Sequence, residues 1–312
     1  MNACLAAMLA ALLLMSAAPC RAEGDAYLLL DGGIGYFAPP EVSYAYSTAE
    51  PYDITTAADI TWGLGFRAGH TLHVPGWSED SLFGAAPTLE LAYRYDAYDE
   101  RTKDITRPNA AAPAAGYGVT DPWSGGIWDY DQEITGNDVR LGLWGSAAED
   151  GAFVPYVGVG YRHYRQDWKL NTFILGTYNP VFDSELHADS YGVCLGGKWE
   201  TPGRGRWRVA ATPMVHLDYT RASLDFHQHA GFAMLSGADD SMDTAFGSWG
   251  ASLDVSAARV FANGFSLEWI VGAVYQDRTP YARPPVTDQG RAQIATDGSH
   301  ALRCAVNLGL EF

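Results

Sequence analysis

Apolar and polar residues alternate with period two over stretches of ten or more residues along most of the chain. In extended chain such alternation puts one residue set on each face of a strand. The last stretch shows it best: Leu302, Cys304, Val306, Leu308, Leu310 and Phe312 interleave with Arg303, Ala305, Asn307, Gly309 and Glu311. One face suits lipid and the other a polar lumen. Read backwards from there, the same pattern predicts strands near 27–37, 57–73, 85–98, 137–147, 152–168, 186–200, 206–224, 244–262, 264–277 and 299–312.

That makes an all-β protein, a transmembrane antiparallel β-barrel of about ten strands. An even count returns both termini to the periplasm. Short turns fall around Gly76, Glu149-Asp150-Gly151, Pro202-Gly203-Arg204-Gly205 and Asn263-Gly264. The long connections, 38–56, 99–136, 169–185, 225–243 and 278–298, are then all expected on the outside. A soluble sandwich also alternates, but its strands average about five or six residues, roughly half the length seen here. Tyr and Trp gather at the strand ends (Tyr27, Tyr36, Trp62, Tyr93, Tyr95, Trp207, Tyr219, Trp269, Tyr275), as an interfacial girdle requires.

The 312 residues carry 20 Lys plus Arg against 37 Asp plus Glu, a formal charge of −17. No basic field exists to neutralise phosphates, so a nucleic-acid partner is excluded. The only long apolar run, Leu5 to Ala18, is followed by Pro19-Cys20-Arg21-Ala22. It reads as a secretory signal, residues 1–22, cleaved before Glu23 to leave the barrel 23–312. A lipid anchor at Cys20 is the alternative, disfavoured by Pro19. Of the four cysteines, Cys194 and Cys304 remain, inward and outward by parity on non-neighbouring strands, so no bridge is expected. No CxxC, HExxH or Walker-type pattern occurs, and no metal or cofactor is implied.

Parity sends Asp31, Glu90, Asp96, Asp218, Asp254, Glu268 and Glu311 inward, against Arg67, Arg94, Arg140, Arg162, Lys198, Arg208 and Arg303. Balanced signs in a narrow barrel tend to pair and fill the interior. The expectation is a plugged barrel whose activity sits at its mouth and in its loops, where the excess acid would attract basic peptides or divalent ions, or simply keep the loops soluble.

Two local groupings carry candidate chemistry. Gly125-Gly126-Ile127-Trp128-Asp129-Tyr130-Asp131 holds two carboxylates at spacing two, and Leu224-Asp225-Phe226-His227-Gln228-His229 holds a carboxylate two residues before an imidazole. In extended chain each pair shares one side. A carboxylate beside a histidine orients the ring so that its other nitrogen can take a proton from water, and two facing carboxylates can hold that water. The bland alternative is that both are solvated loop acids. A further pair, His216 and Asp218, is inward-facing and reads as a lumen hydrogen-bond pair.

Ten strands, the Asp129/Asp131 pair after a Gly-Gly in the second outer loop, and Asp225/His227 at the top of the seventh strand resemble the omptin family of outer-membrane proteases. The terminal Phe312 resembles the signal read by the outer-membrane assembly machinery of Gram-negative bacteria. In the omptin family the four positions are the catalytic carboxylate pair and the aspartate–histidine dyad. Gly160-Tyr161-Arg162-His163-Tyr164-Arg165-Gln166-Asp167-Trp168 is similar to the family's Gly-Tyr-x-x-x-Arg-x-x-aromatic run, whose arginine contacts lipopolysaccharide. The resemblance implies an outer-membrane endopeptidase cleaving extracellular peptides, with His227 as general base, Asp225 orienting it, Asp129 and Asp131 positioning water, and Arg165 on lipopolysaccharide, which activity would then require.

The chain departs from that pattern in three places, one being that the family's other lipopolysaccharide-contacting basic positions on the later strands have no evident match. The family's Trp-Thr-Asp-x-Ser-x-His-Pro stretch is absent, and Ser223 stands where an acid selects a basic side chain. If the seventh strand runs without a bulge, Asp225 and His227 share the outward face of Tyr219. The alternative function is a non-enzymatic surface barrel, an adhesin or small porin. A monomer is expected in either case.

Overall fold

The computed structural model describes residues 26–40, 42–44, 52–54, 59–73, 78, 81–106, 127–146, 153–174, 177–201, 207–229, 238–261, 264–283 and 291–311. The expected signal segment 1–22, the Gly125-Gly126 pair and Phe312 lie outside them. In chain order the strands are β1 (Ala26–Ala38), β2 (Val42–Tyr44), β3 (Tyr52–Ile54), β4 (Asp59–Thr71), β5 (Thr88–Thr106), β6 (Ile127–Trp144), β7 (Phe153–Ile174), β8 (Thr177–Glu200), β9 (Trp207–Gln228), β10 (Ala238–Val260), β11 (Phe265–Arg283) and β12 (Gln293–Glu311).

Ten of these strands close a barrel in the order β1-β12-β11-β10-β9-β8-β7-β6-β5-β4, every pair antiparallel, and β2 with β3 forms a separate hairpin in the first long connection. Closure leaves no unpaired sheet edge, which a strand crossing lipid cannot tolerate. The short connections are tight. After β10, Phe261 N donates to Phe265 O at 2.8 Å and Gly264 N to Phe261 O at 3.2 Å, with Gly264 in the left-handed region (φ 77°) that glycine adopts without strain.

The barrel wears an apolar belt. Ile34, Leu64, Val193, Leu217, Val271 and Leu302 point outward and are exposed. Aromatic residues bound the belt at both ends: Tyr161 lies beside Tyr191 and Trp249 beside Tyr275 on one side, Phe153 beside Trp199 on the other, where Trp207 stacks on Trp269. Along β8 the belt runs from Tyr191 to Trp199, roughly 27 Å of strand before tilt. A tilt of about 40° brings this to roughly 21 Å of height, close to the band of about 25 Å expected of a membrane barrel.

Inside, the charges pair. Arg94 bridges Asp31 (2.5 Å) and Asp96 (2.8 Å), Arg303 holds Asp254 (2.5 Å), and Arg67 meets Glu268 (3.3 Å). Asp138 and Glu200, two acids absent from the parity set, complete the scheme with Arg140, Arg162, Lys198 and Arg208. Asp138 serves two arginines at once, Arg140 at 2.7 Å and Arg162 at 3.6 Å. Asp138→Ala removes the carboxylate ion-paired with both arginines and is expected to cost about 3–5 kcal/mol. The thermal midpoint of the refolded barrel checks this.

The strands differ from the sequence expectation chiefly at the end that carries the long connections, here the outer end. There β6 begins at Ile127 instead of 137, β7 runs on to Ile174, β8 begins at Thr177 instead of 186, β9 runs to Gln228, and β10 begins at Ala238 instead of 244. Beyond the tyrosine level the alternation keeps its period but inverts its sense. On β9, Val215, Leu217 and Tyr219 are exposed around buried His216 and Thr220, whereas further out Ala222, Leu224 and Phe226 are the buried residues and Arg221, Asp225 and His227 the exposed ones. Water outside reverses what lipid outside demanded. The inward apolar residues then pack across the barrel: Trp168, Leu170, Phe182, Leu186, Leu224, Phe226, Ala282 and Ala292 form one buried cluster. Trp168 meets Phe182 edge-on at 4.9 Å, and Phe182 meets Phe226 at 5.3 Å. The outer end is thus a sandwich-like core, with Gln166 Oε1 accepting from Ala282 N at 3.1 Å across the barrel.

Candidate functional site

Because the outer extension is in register, its outward side chains form rows across neighbouring strands. One row runs Asp131, Lys169, Asp183, His227, Asp239 from β6 to β10. The next, one step nearer the belt, runs Glu133, Asp167, Glu185, Asp225, Ser241. These rows line a groove of about 650 Å³ on the outer wall, in which eight of fourteen lining residues are carboxylates against only Arg165 and Lys169.

Two imidazoles, His227 lining the groove and His229 two residues further along the chain, are held by acids from the flanking strands. His227 Nδ1 is bonded to Asp239 of β10, and His229 Nε2 lies 2.7 Å from Asp183 Oδ2 of β8. The two rings sit perpendicular, 4.4 Å apart. The Nδ1–carboxylate bond points the other ring nitrogen of His227, Nε2, away from Asp239.

β9 pairs with β10 in one unbroken register from Trp207 to Gln228, so no bulge turns its upper end. Asp225 and His227 therefore share the outward face, and the carboxylate bonded to the ring is Asp239. Asp131 lines the same groove, but β7 and β8 intervene, and three strand spacings put it roughly 14 Å from His227. One water does not span that distance. Asp129 lies on β6 opposite Asn171, with its side chain outside the described residues. Ser223 is on β9 opposite His187. Arg165 points outward, as its parity requires, and is engaged by Asp167 (2.9 Å) and Glu185 (3.0 Å).

Asp239 and Asp183 lie in segments whose sequence pattern reads as outer connections, so spacing alone does not single them out. Their spacing-two companions, Glu185 after Asp183 and Ser241 after Asp239, were the available signal. Among the described residues, no three of His, Cys, Asp and Glu converge as metal ligands.

Just above the tyrosines, Asp189 accepts from Tyr161 Oη (2.6 Å) and is bonded to His163 Nδ1 (2.9 Å). Partial burial pushes its carboxyl up, but the hydrogen bonds from Tyr161 and His163 outweigh this and hold it below the usual carboxylate range. A depressed carboxyl stabilises the fold above its unfolded pKa, and that contribution disappears as pH falls through the folded one. The wild-type barrel is expected to lose this part of its stability only below about pH 4. Asp189→Asn should flatten that acid limb and leave the curve above pH 5 unchanged in shape, as read by thermal unfolding across pH.

No protein-family model matches the chain, and no curated protein does. Solved structures resemble it at low identity. The outer membrane protease OmpT from Escherichia coli is 8% identical, with 92% of this chain and 96% of that one covered and a TM-score of 0.47. The translocator domain of autotransporter NalP from Neisseria meningitidis is 9% identical, covering 100% and 97%, with a TM-score of 0.39. The beta domain of the Bordetella autotransporter BrkA is 13% identical, covering 93% and 100%, with a TM-score of 0.32.

Proposed function

We propose that the protein is a closed surface barrel of the outer membrane that binds cationic peptide segments in its outer-wall groove. The observation that carries this reading is the groove itself, a concave volume of about 650 Å³ with eight carboxylates and two fixed cations. A field of that sign concentrates basic ligands and repels anionic ones. The apolar core at the outer end supports a role other than a porin, since it stands in the path a solute would take.

A second reading, an omptin-like endopeptidase, draws support from one feature: His227, held by Asp239, shares the groove with Asp225 and Asp131. There His227 would be the general base, Asp225 would help orient ring and water, and Asp131, with Asp129 as its partner in the family pattern, would position the water. Arg165 would meet lipopolysaccharide phosphate.

Incubating the refolded barrel with a library of basic and acidic peptides, with and without lipopolysaccharide, separates the two. Saturable, uncleaved retention of basic members is the expected result. Cleavage that His227→Ala reduces on the order of a hundredfold or more would transfer the assignment to the peptidase. Neither retention nor cleavage of any basic member would overturn both.

A further inference from the structure

A second polar cluster lies inside the barrel, below the tyrosines and away from the groove. Cys194 on β8 stands directly opposite His216 on β9, and Met214, two residues before His216, shares its inward face. Cys194 Sγ and Met214 Sδ are 3.8 Å apart. His216 is 6% exposed, no described residue hydrogen-bonds its ring, and it borders the lumen cavities described next. Glycines clear the space: a Cβ at Gly196 would meet Met214 Cγ at 2.9 Å, and one at Gly192 would collide with Asp218.

Beside Cys194 and His216 is a void of about 20 Å³, lined also by Asp138, Asp218, Arg140 and Arg162. His216 and Met214 also line a larger cavity of about 520 Å³ in the short-turn half of the lumen. That cavity reaches Arg208 and Lys198, whose side chains are 55% and 37% exposed, so water-borne solutes have a way in from that end.

We propose that Cys194, Met214 and His216 form a binding site for a soft monovalent metal ion, Cu(I) or its analogue Ag(I). A thiolate, a thioether and a neutral imidazole nitrogen are the donors that select such ions. Charge selects the same class. Arg140 and Arg162 offset Asp138 and Asp218 on the wall of the void. When the ion binds, the Sγ–H proton leaves to solvent and the metal–thiolate bond forms, so a monovalent ion adds no net charge. A divalent ion would leave one uncompensated positive charge beside two guanidiniums, which a low-dielectric lumen penalises. The site is independent of whether the outer groove binds or cleaves peptides.

The test loads the refolded full-length barrel with Cu(I) under reducing, oxygen-free conditions, removes loosely held metal with a soluble Cu(I) chelator, and measures retained copper. Wild type should keep one equivalent, Cys304→Ser should keep it too, and Cys194→Ser should lose it. Met214→Leu and His216→Gln should each weaken retention by about tenfold or more. Heat-dependent gel mobility confirms folding of each variant. Should Cys194→Ser fail to fold, wild type alone decides: after a soluble thiol has stripped silver held by a single cysteine, Ag(I) should still shield Cys194, and no longer Cys304, from alkylation, as read by peptide mass spectrometry. Copper lost from wild type to the chelator, equal retention by folded Cys194→Ser, or alkylation of Cys194 undiminished by Ag(I) would overturn the proposal.

Discussion

Trp168→Ala is expected to destabilise the outer end of the barrel by about 3–5 kcal/mol, the range found when a fully buried aromatic is truncated. Trp168 is 0% exposed and packs edge-on against Phe182, itself 1% exposed, at 4.9 Å. The loss should be local. The belt below is held by lipid and by barrel closure, neither of which involves Trp168, so the variant should remain heat-modifiable. Its outer strands should instead open first and become sensitive to trypsin at Arg165 and Lys169, which border the tryptophan in sequence. Limited proteolysis at increasing temperature reads this directly. A variant as resistant as wild type would mean that the apolar cluster contributes little to holding the outer end shut.

The second large effect concerns the groove. Glu133 and Asp225 are exposed, face the same volume from β6 and β9, and form no ion pair with a described residue. Reversing both, Glu133→Lys with Asp225→Lys, exchanges two carboxylates for two ammonium groups without disturbing the bonds of His227 and His229. Affinity for a basic peptide should fall by about tenfold or more, mostly through slower association. Raising salt from low to physiological ionic strength should weaken wild-type binding for the same reason, since the groove is open to solvent and screened over about 8–10 Å. The double variant should show little of that salt dependence. Fluorescence anisotropy of a labelled oligolysine peptide measures both.

Much of this was legible in the amino-acid sequence wherever lipid imposes the pattern. Between the aromatic girdles every outward position must be apolar, so Leu302 to Leu310 and Phe265 to Tyr275 announce their strands and place Arg67, Arg94, Arg140 and Arg303 inward, where the ion pairs hold them. Above the girdle that constraint reverses. Leu224 and Phe226 are apolar and inward, Asp225 and His227 polar and outward, so the alternation continues with its phase shifted and looks like a strand giving way to a loop. Paired charges such as Arg165 with Asp167 and Glu185 reinforce that impression, because a charged run is the usual mark of a solvated connection. The outer extension and the acids it contributes to the groove were therefore hidden in plain composition. The outward direction of Asp225 and His227 was nonetheless legible, since it requires only that β9 run straight, and its pairing with β10 is unbroken to Gln228. Which acid would meet His227 was not. Asp239 reaches it only through the β9–β10 register, a long-range fact that spacing within one segment does not encode.

Photo-crosslinking of a bound oligolysine peptide, with the reactive group on the peptide and the attachment sites mapped by mass spectrometry, tests the groove most directly. The account predicts saturable, salt-sensitive labelling of the outward positions of β8 and β9, around Asp183 to Glu185 and Asp225 to His227, with labelling lost in the Glu133→Lys, Asp225→Lys double variant. Labelling that falls on lumen residues such as Arg140 or Asp254, or that persists unchanged in the double variant, would contradict it.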